Sequence, residues 1–345
     1  MFWWPGTSGS DGPREYGAPV RAVHATAPGG PEVLSVVELP APAPGPGEVL
    51  VDVAAAGVNF IDTYRRSGRY PMPFPHVVGS EGAGTVSAVG EGAALAVGDR
   101  VAWLDGAAGS YAECVAVQAD RAVPVPDDVP LDVAAALLLQ GVTAHYLVHD
   151  SAPVRAGDTV FVHAGAGGVG LLLTQLATDL GAQVLTTVST AEKEALSRAA
   201  GAADVLRYDR LRDLTAELPA WVRDRVPGGV RAVYDGVGAA TFDASLASVA
   251  VRGTLVLFGG ASGAVPPFDP MRLEQAGSLF LTRPTIRHHV ATRAELVART
   301  DELFALVAAG RLDVRIGSRY PLADAADAHR ALEGRATTGK VLLVP

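Results

Sequence analysis

Three observations predict an α/β protein of two domains, a β-barrel or sandwich followed by a doubly wound parallel sheet. Residues 20–126 read as short strands separated by Pro/Gly turns. From about Asp132 onward, strands and helices alternate in the manner of βαβ units. At the head of that alternation, residues 159–170 read TVFVHAGAGGVG, an apolar strand running into a GxGxxG turn that opens an apolar helix. A chain of 345 residues is long enough to give each domain its own core.

In chain order, residues 1–19 (MFWWPGTSGSDGPREYGAP) have no basic n-region and no long apolar core, so they do not read as a signal peptide. They read as a poorly ordered extension in which Trp3 and Trp4 could dock, with Val20 an alternative first position. Strands are expected at 48–55, 84–89 and 112–118, with the semi-rigid segment 40–46 before them. A helix over 132–139 should stop near Gly141, and a second helical segment should follow to about Ser151. The strands 159–164, 183–188, 205–206, 232–235 and 254–258 then alternate with helices at 171–180, 191–200, 210–223 and 241–250, and 278–282 adds a further strand. The tail carries a long amphipathic helix (293–309), a strand (316–320), a helix (323–332) and a last strand (340–344). The expected domains are 20–142, 143–282 and a return of 283–345 to the first domain.

In the glycine motif, Gly165 permits the tight turn, Gly167 lets the backbone approach a pyrophosphate, and Gly170 lets the helix pack closely on the strand. Ala166, Gly168 and Val169 complete the loop, whose free N–H groups and helix dipole face the anion. NAD-binding chains place an acidic residue about twenty positions further on. Here residues 187–193 read TVSTAEK, so Ser189, Thr190 and Lys193 stand where the carboxylate is expected. Hydroxyls and an ammonium accommodate a 2′-phosphate that a carboxylate would repel, which selects NADPH over NADH. Val237 and Phe258 follow the carboxyl ends of strands, where ligands approach such sheets, and Asp235 fixes the loop between them.

Composition narrows the partners. Net charge is −9 and no dense basic block occurs, which disfavours nucleic acid. No apolar run reaches the length of about 18 residues expected of a membrane span. The single cysteine, Cys114, excludes an internal disulfide framework and fits a reducing, cytoplasmic compartment. Only two lysines occur, Lys193 and Lys340, so both stand out.

The segments NFIDTYRRSGRYP (59–71), GSEGAG (79–84), GDRVA (98–102), LLLQGVTAHYL (137–147), HAGAGGVG (163–170), VYDGVG (233–238), SLFLTRP (278–284) and EGRATTGKVLLVP (333–345) occur in that order. With them the chain resembles the zinc-independent quinone oxidoreductases of the medium-chain dehydrogenase/reductase superfamily, from about Val20 to the C-terminus. The resemblance implies a GroES-like β-barrel catalytic domain interrupted by a Rossmann domain, with NADPH in the cleft between them. It places Lys193 and Tyr208 on the 2′-phosphate, Arg335 on it or the adjoining phosphates, and Thr143 near the nicotinamide. It also implies a homodimer, with the strand 278–282 extending the sheet across a two-fold.

Zinc-dependent relatives place Cys and His-Glu ligands where this chain reads Gly57-Val58-Asn59 and Gly79-Ser80-Glu81. Thiolate and imidazole are missing, and one cysteine cannot build a four-cysteine zinc lobe. His288 and His289 are adjacent and lack ligand spacing. No zinc is therefore expected.

A nicotinamide carries the hydride itself, so the protein's task is orientation and exclusion of water. Asn59 offers an amide for a substrate carbonyl or a cofactor hydroxyl. Tyr64 and Tyr70 offer phenols as acids or as aromatic walls, and Tyr70 matches the place from which related enoyl reductases present a proposed acid. The leading expectation is transfer of hydride from NADPH to a quinone. The alternatives are reduction of α,β-unsaturated carbonyls, as in a natural-product tailoring enzyme, and a non-redox role as regulator or cyclase on the same scaffold.

Overall fold

The computed structural model describes residues 18–106 and 109–345. Trp3, Trp4 and all but the last two residues of the expected extension lie outside the described residues. Those last two are ordered by pairing: Pro19 opens the first strand and faces Pro40.

The first domain contains β1 (Pro19–Ala25), β2 (Leu34–Pro40), β3 (Glu48–Val58), the short helix α1 (Phe60–Arg66), β4 (His76–Val77), β5 (Glu81–Val89), β6 (Arg100–Leu104), β7 (Cys114–Gln118) and β8 (Ala122–Pro124). Helix α2 (Leu131–Tyr146) leads into β9 (Thr159–Val162), α3 (Gly168–Asp179), β10 (Gln183–Val188), α4 (Ala191–Ala199), β11 (Asp204–Arg207), α5 (Leu214–Arg225), β12 (Val230–Asp235), α6 (Phe242–Ser248), β13 (Val249–Leu257), α7 (Met271–Gln275) and β14 (Phe280–Thr282). The tail holds α8 (Arg293–Ala308), β15 (Ile316–Pro321), α9 (Ala325–Glu333) and β16 (Lys340–Val344).

The strands between β9 and β14 form one parallel sheet in the order β11-β10-β9-β12-β13-β14, the arrangement expected of a doubly wound domain. Burial alternates along its central strand. Val160 and Val162 face the core shared with α2 and α3, while Phe161 faces the core closed by α5 and α6. Both faces are covered, which is why these strands read as continuous apolar runs.

In the first domain the larger sheet runs β15-β16-β3-β5-β6-β8, with β7 also paired to β3. The tail therefore returns, as expected, and inserts β16 antiparallel to β3. Along β16 the side chains alternate between two cores. Val341 and Leu343 join the barrel core around Trp103 and Tyr111, and Leu342 joins the core of α2, α3 and α8.

The largest departure from expectation is α2. It runs unbroken through Gly141 and continues as one wider turn over Leu147–Ser151, where the Ala152 N–H reaches the Leu147 carbonyl. Gly141 marks close packing instead of a helix end, because a Cβ there would lie 2.7 Å from Leu137 Cδ1 and 3.3 Å from Leu303 Cδ1 of α8. The boundary expected at 142 thus falls inside a helix that serves both domains. The stretch Leu131–Ser151 has the length and hydropathy of a membrane span, contrary to the reading of the apolar runs. Most of it is buried against the protein's own cores.

Smaller shifts have local causes. Helix α5 starts at Leu214, because the Asp213 carboxylate caps the N–H groups of Thr215 and Ala216. Helix α3 starts at Gly168, inside the glycine motif.

Candidate active site

The glycine loop lies between β9 and α3. The residue that turns left-handed there is Ala164 (φ 54°), and Gly165 is needed for a different reason: its Cβ would lie 2.6 Å from Thr186 Cβ and 2.7 Å from Ser197 Oγ. Gly165 is thus a packing glycine against β10 and α4. Gly170 behaves as expected, with a would-be Cβ 2.2 Å from the Ala164 carbonyl oxygen. Gly167 is extended and no side chain caps α3, so the first-turn N–H groups of the helix are left for an anion. Across the loop, the Gly339 N–H donates to the Ala166 carbonyl (2.9 Å), which stitches the start of β16 to the glycine turn.

A cleft opens from this loop. Of the residues singled out in the sequence, it is lined by Asn59, Ala166, Gly167, Gly168, Val169, Gly170, Ser189, Lys193, Tyr208, Val237, Phe258 and Arg335. Gly165, Thr190, Tyr64, Tyr70 and Thr143 stand behind or beside that lining. Thr190 caps α4 by accepting from the Lys193 N–H, and the Thr143 hydroxyl donates to the Leu139 carbonyl (2.7 Å).

At one end of the cleft two cations meet. The Lys193 ammonium donates to the backbone carbonyl of Arg335 (2.6 Å), whose own backbone is left-handed (φ 57°). Burial pushes the Lys193 ammonium below its ordinary pKa, and the Arg335 guanidinium adds to this against the opposing pull of Glu192. Two positive groups are thus brought together at this end of the cleft, an arrangement that attracts a phosphate.

Deeper in the cleft lies a buried polar knot. The Asn59 amide nitrogen donates to Glu81 Oε1 (2.7 Å) and to the Gly57 carbonyl (3.3 Å). Its oxygen accepts from Lys340 Nζ (2.8 Å) and Gln140 Nε2 (3.4 Å). Lys340 also forms a salt bridge with Glu81, and Glu81 Oε2 accepts from the Leu139 N–H (2.7 Å). Both donors and both acceptor sites of Asn59 are therefore engaged within the protein. Gln140, which lines the cleft, by contrast has its Oε1 buried without a partner. That oxygen also lies where a side chain on Gly168 would be, 1.8 Å from that residue's would-be Cβ.

Tyr64 and Tyr70 meet edge to face with ring centroids 5.4 Å apart. The Arg69 guanidinium lies 4.4 Å over the Tyr64 ring and donates to the Gly260 carbonyl (2.8 Å), so α1 reaches the second domain beside Phe258. Burial raises the Tyr64 pKa, with Arg69 opposing it. Helix α1 is fixed from below by Asp62, which accepts from Ser80 Oγ (2.5 Å), Tyr111 Oη (3.1 Å) and the Asn59 N–H (2.9 Å). Desolvation raises Asp62 to about 6. His329 joins the same cluster through Tyr111 Oη (3.2 Å) and Arg66 Nη1 (2.9 Å), and burial lowers its pKa to about 3. The buried Asp235 carboxylate accepts from the N–H groups of Val237 and Gly238 and from Thr241 Oγ1 and Ser245 Oγ, which sets the loop lining the cleft.

The donor set of a zinc site is missing where zinc-dependent relatives would have it. A Cβ at Gly57 would lie 2.4 Å from Glu81 Oε1 and 2.7 Å from Lys340 Cε, so the ion pair fills the space beside that glycine, and neither segment carries a thiolate or an imidazole. Elsewhere His145, His149 and Glu302 cluster between α2 and α8. There Arg299 Nη1 donates to His145 Nδ1 (2.9 Å), which leaves the proton on Nε2 facing Glu302 (2.9 Å) and turns no lone pair toward a metal.

Glu81 was read in the sequence only as the remnant of a ligand motif, and Gln140 and Lys340 were not assigned to the site at all. The available signals were a lone amide within the apolar run LLLQGV and one of only two lysines in the chain.

The alcohol dehydrogenase GroES-like domain family matches residues 45–127, and the zinc-binding dehydrogenase family matches residues 200–343. A quinone oxidoreductase of Pseudomonas aeruginosa is 44% identical over 319 residues, covering 92% of this chain and 97% of that protein. A mycobacterial protein solved in complex with NADPH superposes with a TM-score of 0.91 at 55% identity, covering 94% of this chain and all of that one. A 2-haloacrylate reductase of a Burkholderia species is 38% identical over 330 residues, covering 92% and 96% of the two chains.

Two predictions follow from the buried groups. Lys340→Met leaves Glu81 charged and unpaired, so chemical denaturation should show a loss of about 3–5 kcal/mol, while Glu81→Gln with Lys340→Met should recover most of it. His329 takes up its proton near 6.5 when unfolded but only near 3 when folded. Protonation therefore favours unfolding as pH falls below 6.5, by up to about 1.4 kcal/mol per pH unit. Asp62, raised to about 6, works in the opposite direction between pH 6 and 4 in wild type and variant alike. The stability of His329→Gln relative to wild type should thus increase steadily from pH 6.5 to pH 4, and a constant difference across that range would refute the assignment.

Proposed function

The chain belongs to the quinone oxidoreductases of the medium-chain dehydrogenase/reductase superfamily, and on that premise we propose that it transfers hydride from NADPH to a quinone without zinc. The observation that carries this reading is the cleft itself, a helix-opened glycine loop with paired cations at one end and a metal-free polar knot further in. The residues present fit the cofactor. Gly167 and the uncapped start of α3 would hold the pyrophosphate, and Lys193, Arg335, Ser189 and Tyr208 would hold the 2′-phosphate. Gln140 Oε1 would accept from an N–H or O–H donor at the nicotinamide end. NADPH, when bound, supplies the hydride.

The protein's own residues orient and seal. The Lys340–Glu81 pair holds Asn59 fixed, and Asn59 holds Gln140 against the glycine loop; these are positioning residues. Tyr64, beside the cleft between Arg69 and Tyr70, would be the phenol that passes a proton from its Oη to an oxygen of the reduced quinone.

A second reading, reduction of an activated alkene, is favoured by the phenol pair and by the likeness to the 2-haloacrylate reductase. An alkene needs a proton at carbon, whereas hydroquinone oxygens can also take theirs from water, so Tyr64 separates the two. Absorbance of the reduced nicotinamide, followed with 1,4-benzoquinone, a naphthoquinone and a simple enone, should show quinone turnover selective for NADPH. Lys193→Ala should reduce the NADPH-over-NADH preference roughly tenfold to a hundredfold. Tyr64→Phe should cost quinone turnover less than about tenfold. A loss of about 10² or more, seen only with the enone, would favour the second reading.

We further propose a cytoplasmic homodimer. Strand β14 is the sheet's edge, and Phe280 on it and Val251 beside it are 63% and 70% exposed, an apolar strip on an unpaired edge. Light scattering should return twice the 35.4 kDa chain mass, and a monomer at micromolar concentration would sink the idea.

A further inference from the structure

Near Tyr64, beside the cleft, stand two guanidinium groups with no ion-pair partner among the described residues. Arg69 donates to the Gly260 carbonyl and Arg283 to the Leu257 carbonyl, both at 2.8 Å. Those carbonyls flank Phe258, which lines the cleft, and both guanidinium groups act on the Tyr64 phenol beside it. A guanidinium carries five N–H donors, and backbone carbonyls take only one from each here. The neighbouring arginines are treated differently. Arg65 and Arg287 share the Asp105 carboxylate at 2.7 and 2.8 Å. Within one region, then, two arginines share a carboxylate and two have no ion-pair partner among the described residues, and the unpaired two lie near Tyr64. The whole chain carries a charge of −9, so its overall field offers an anion no attraction, and selectivity for one has to be local.

We infer that Arg69 and Arg283 form an anion subsite, and that the preferred acceptor is a quinone bearing a negatively charged substituent such as a sulfonate, carboxylate or ionised hydroxyl. The inference rests on the reading of the cleft as a quinone reductase and adds the charge of its substrate. Arginine suits the task because its planar donors grip an oxyanion in two places while its face stays stacked on an aromatic ring.

The test compares 1,4-naphthoquinone with its 2-sulfonate as acceptors for NADPH, in wild type and in Arg69→Gln, Arg283→Gln and Arg287→Gln. The quantity read is kcat/KM for the sulfonate divided by kcat/KM for the parent, which cancels any general effect of a substitution. Moderately high salt screens the distant charges and leaves the contacts. The ratio should fall roughly tenfold for Arg69→Gln and for Arg283→Gln, and should stay at the wild-type value for Arg287→Gln. One ratio shared by all four proteins would overturn the inference. A second readout needs no turnover: calorimetric titration of naphthalene-2-sulfonate into the NADP⁺-loaded protein, with its Kd rising about tenfold in the same two variants. If no quinone is reduced but the calorimetry shows this pattern, the quinone reading fails and the anion subsite stands. If quinones are reduced but the sulfonate does not bind, or binds equally to all four proteins, the subsite fails alone.

Discussion

The buried Lys340–Glu81 ion pair is the constraint on which the arrangement of the cleft depends. Both side chains are removed from water, so each charge is costly to bury unless the other is present and the remaining hydrogen-bonding capacity is used. The structure meets both conditions with groups from distant parts of the chain. Glu81 comes from β5, its second oxygen is taken by the backbone of α2, and Lys340 comes from the last strand and also holds Asn59 at the head of α1. One residue before Lys340, the Gly339 N–H ties the same strand to the glycine loop. Placing a single ammonium thus sets the barrel, the shared helix and the cofactor loop relative to one another. The pair also constrains the end of β3, because Gly57 has to remain a glycine to make room for it.

Helix α2 transmits that constraint. Its small residues, Ala134–Ala136, pack into the core shared with the Rossmann sheet, and Gly141 lets α8 approach closely. Gln140 sits on the same helix next to Gly141 and leans against Gly168. The glycines of this site therefore divide into two kinds. Gly165, Gly168 and Gly170 have no side chain because another group already occupies the space. Gly167 meets little obstruction, with its nearest contact at 3.2 Å, which leaves its backbone open to a ligand.

Much of this was legible in the sequence because periodicity and glycine spacing are local signals. The alternation of strands and helices from Thr159 onward, the return of the tail and the last strand at 340–344 all follow from such patterns. Gly141 misled because glycine in an apolar helical run signals a stop, whereas its role here depends on Leu303, far away in the chain. Gly165 misled in the same way: the left-handed turn belongs to Ala164, and the constraint on Gly165 comes from β10 and α4. The polar knot was illegible for a stronger reason. Glu81 and Lys340 are 259 positions apart, and no local rule pairs them. Asn59 was recognised by its type as a hydrogen-bonding amide, but only the structure shows that all four of its sites are already used.

The distribution of charge along the cleft gives these pieces a common purpose. Lys193 and Arg335 stand at one end of the cleft, Arg69 and Arg283 lie near Tyr64 beside it, and the ion pair between Lys340 and Glu81 cancels itself. Hydride transfer moves two electrons and a proton as one unit, so a centre with no net charge neither strands the hydride nor draws in water to solvate an ion. A zinc ion would place a fixed double charge in that interior and favour substrates that develop an alkoxide. Replacing it with an ion pair that cancels itself leaves the acceptor's own redox chemistry in control. That condition suits a quinone, whose reduced oxygens need only protons, and it leaves selection among acceptors to the groups beside the cleft.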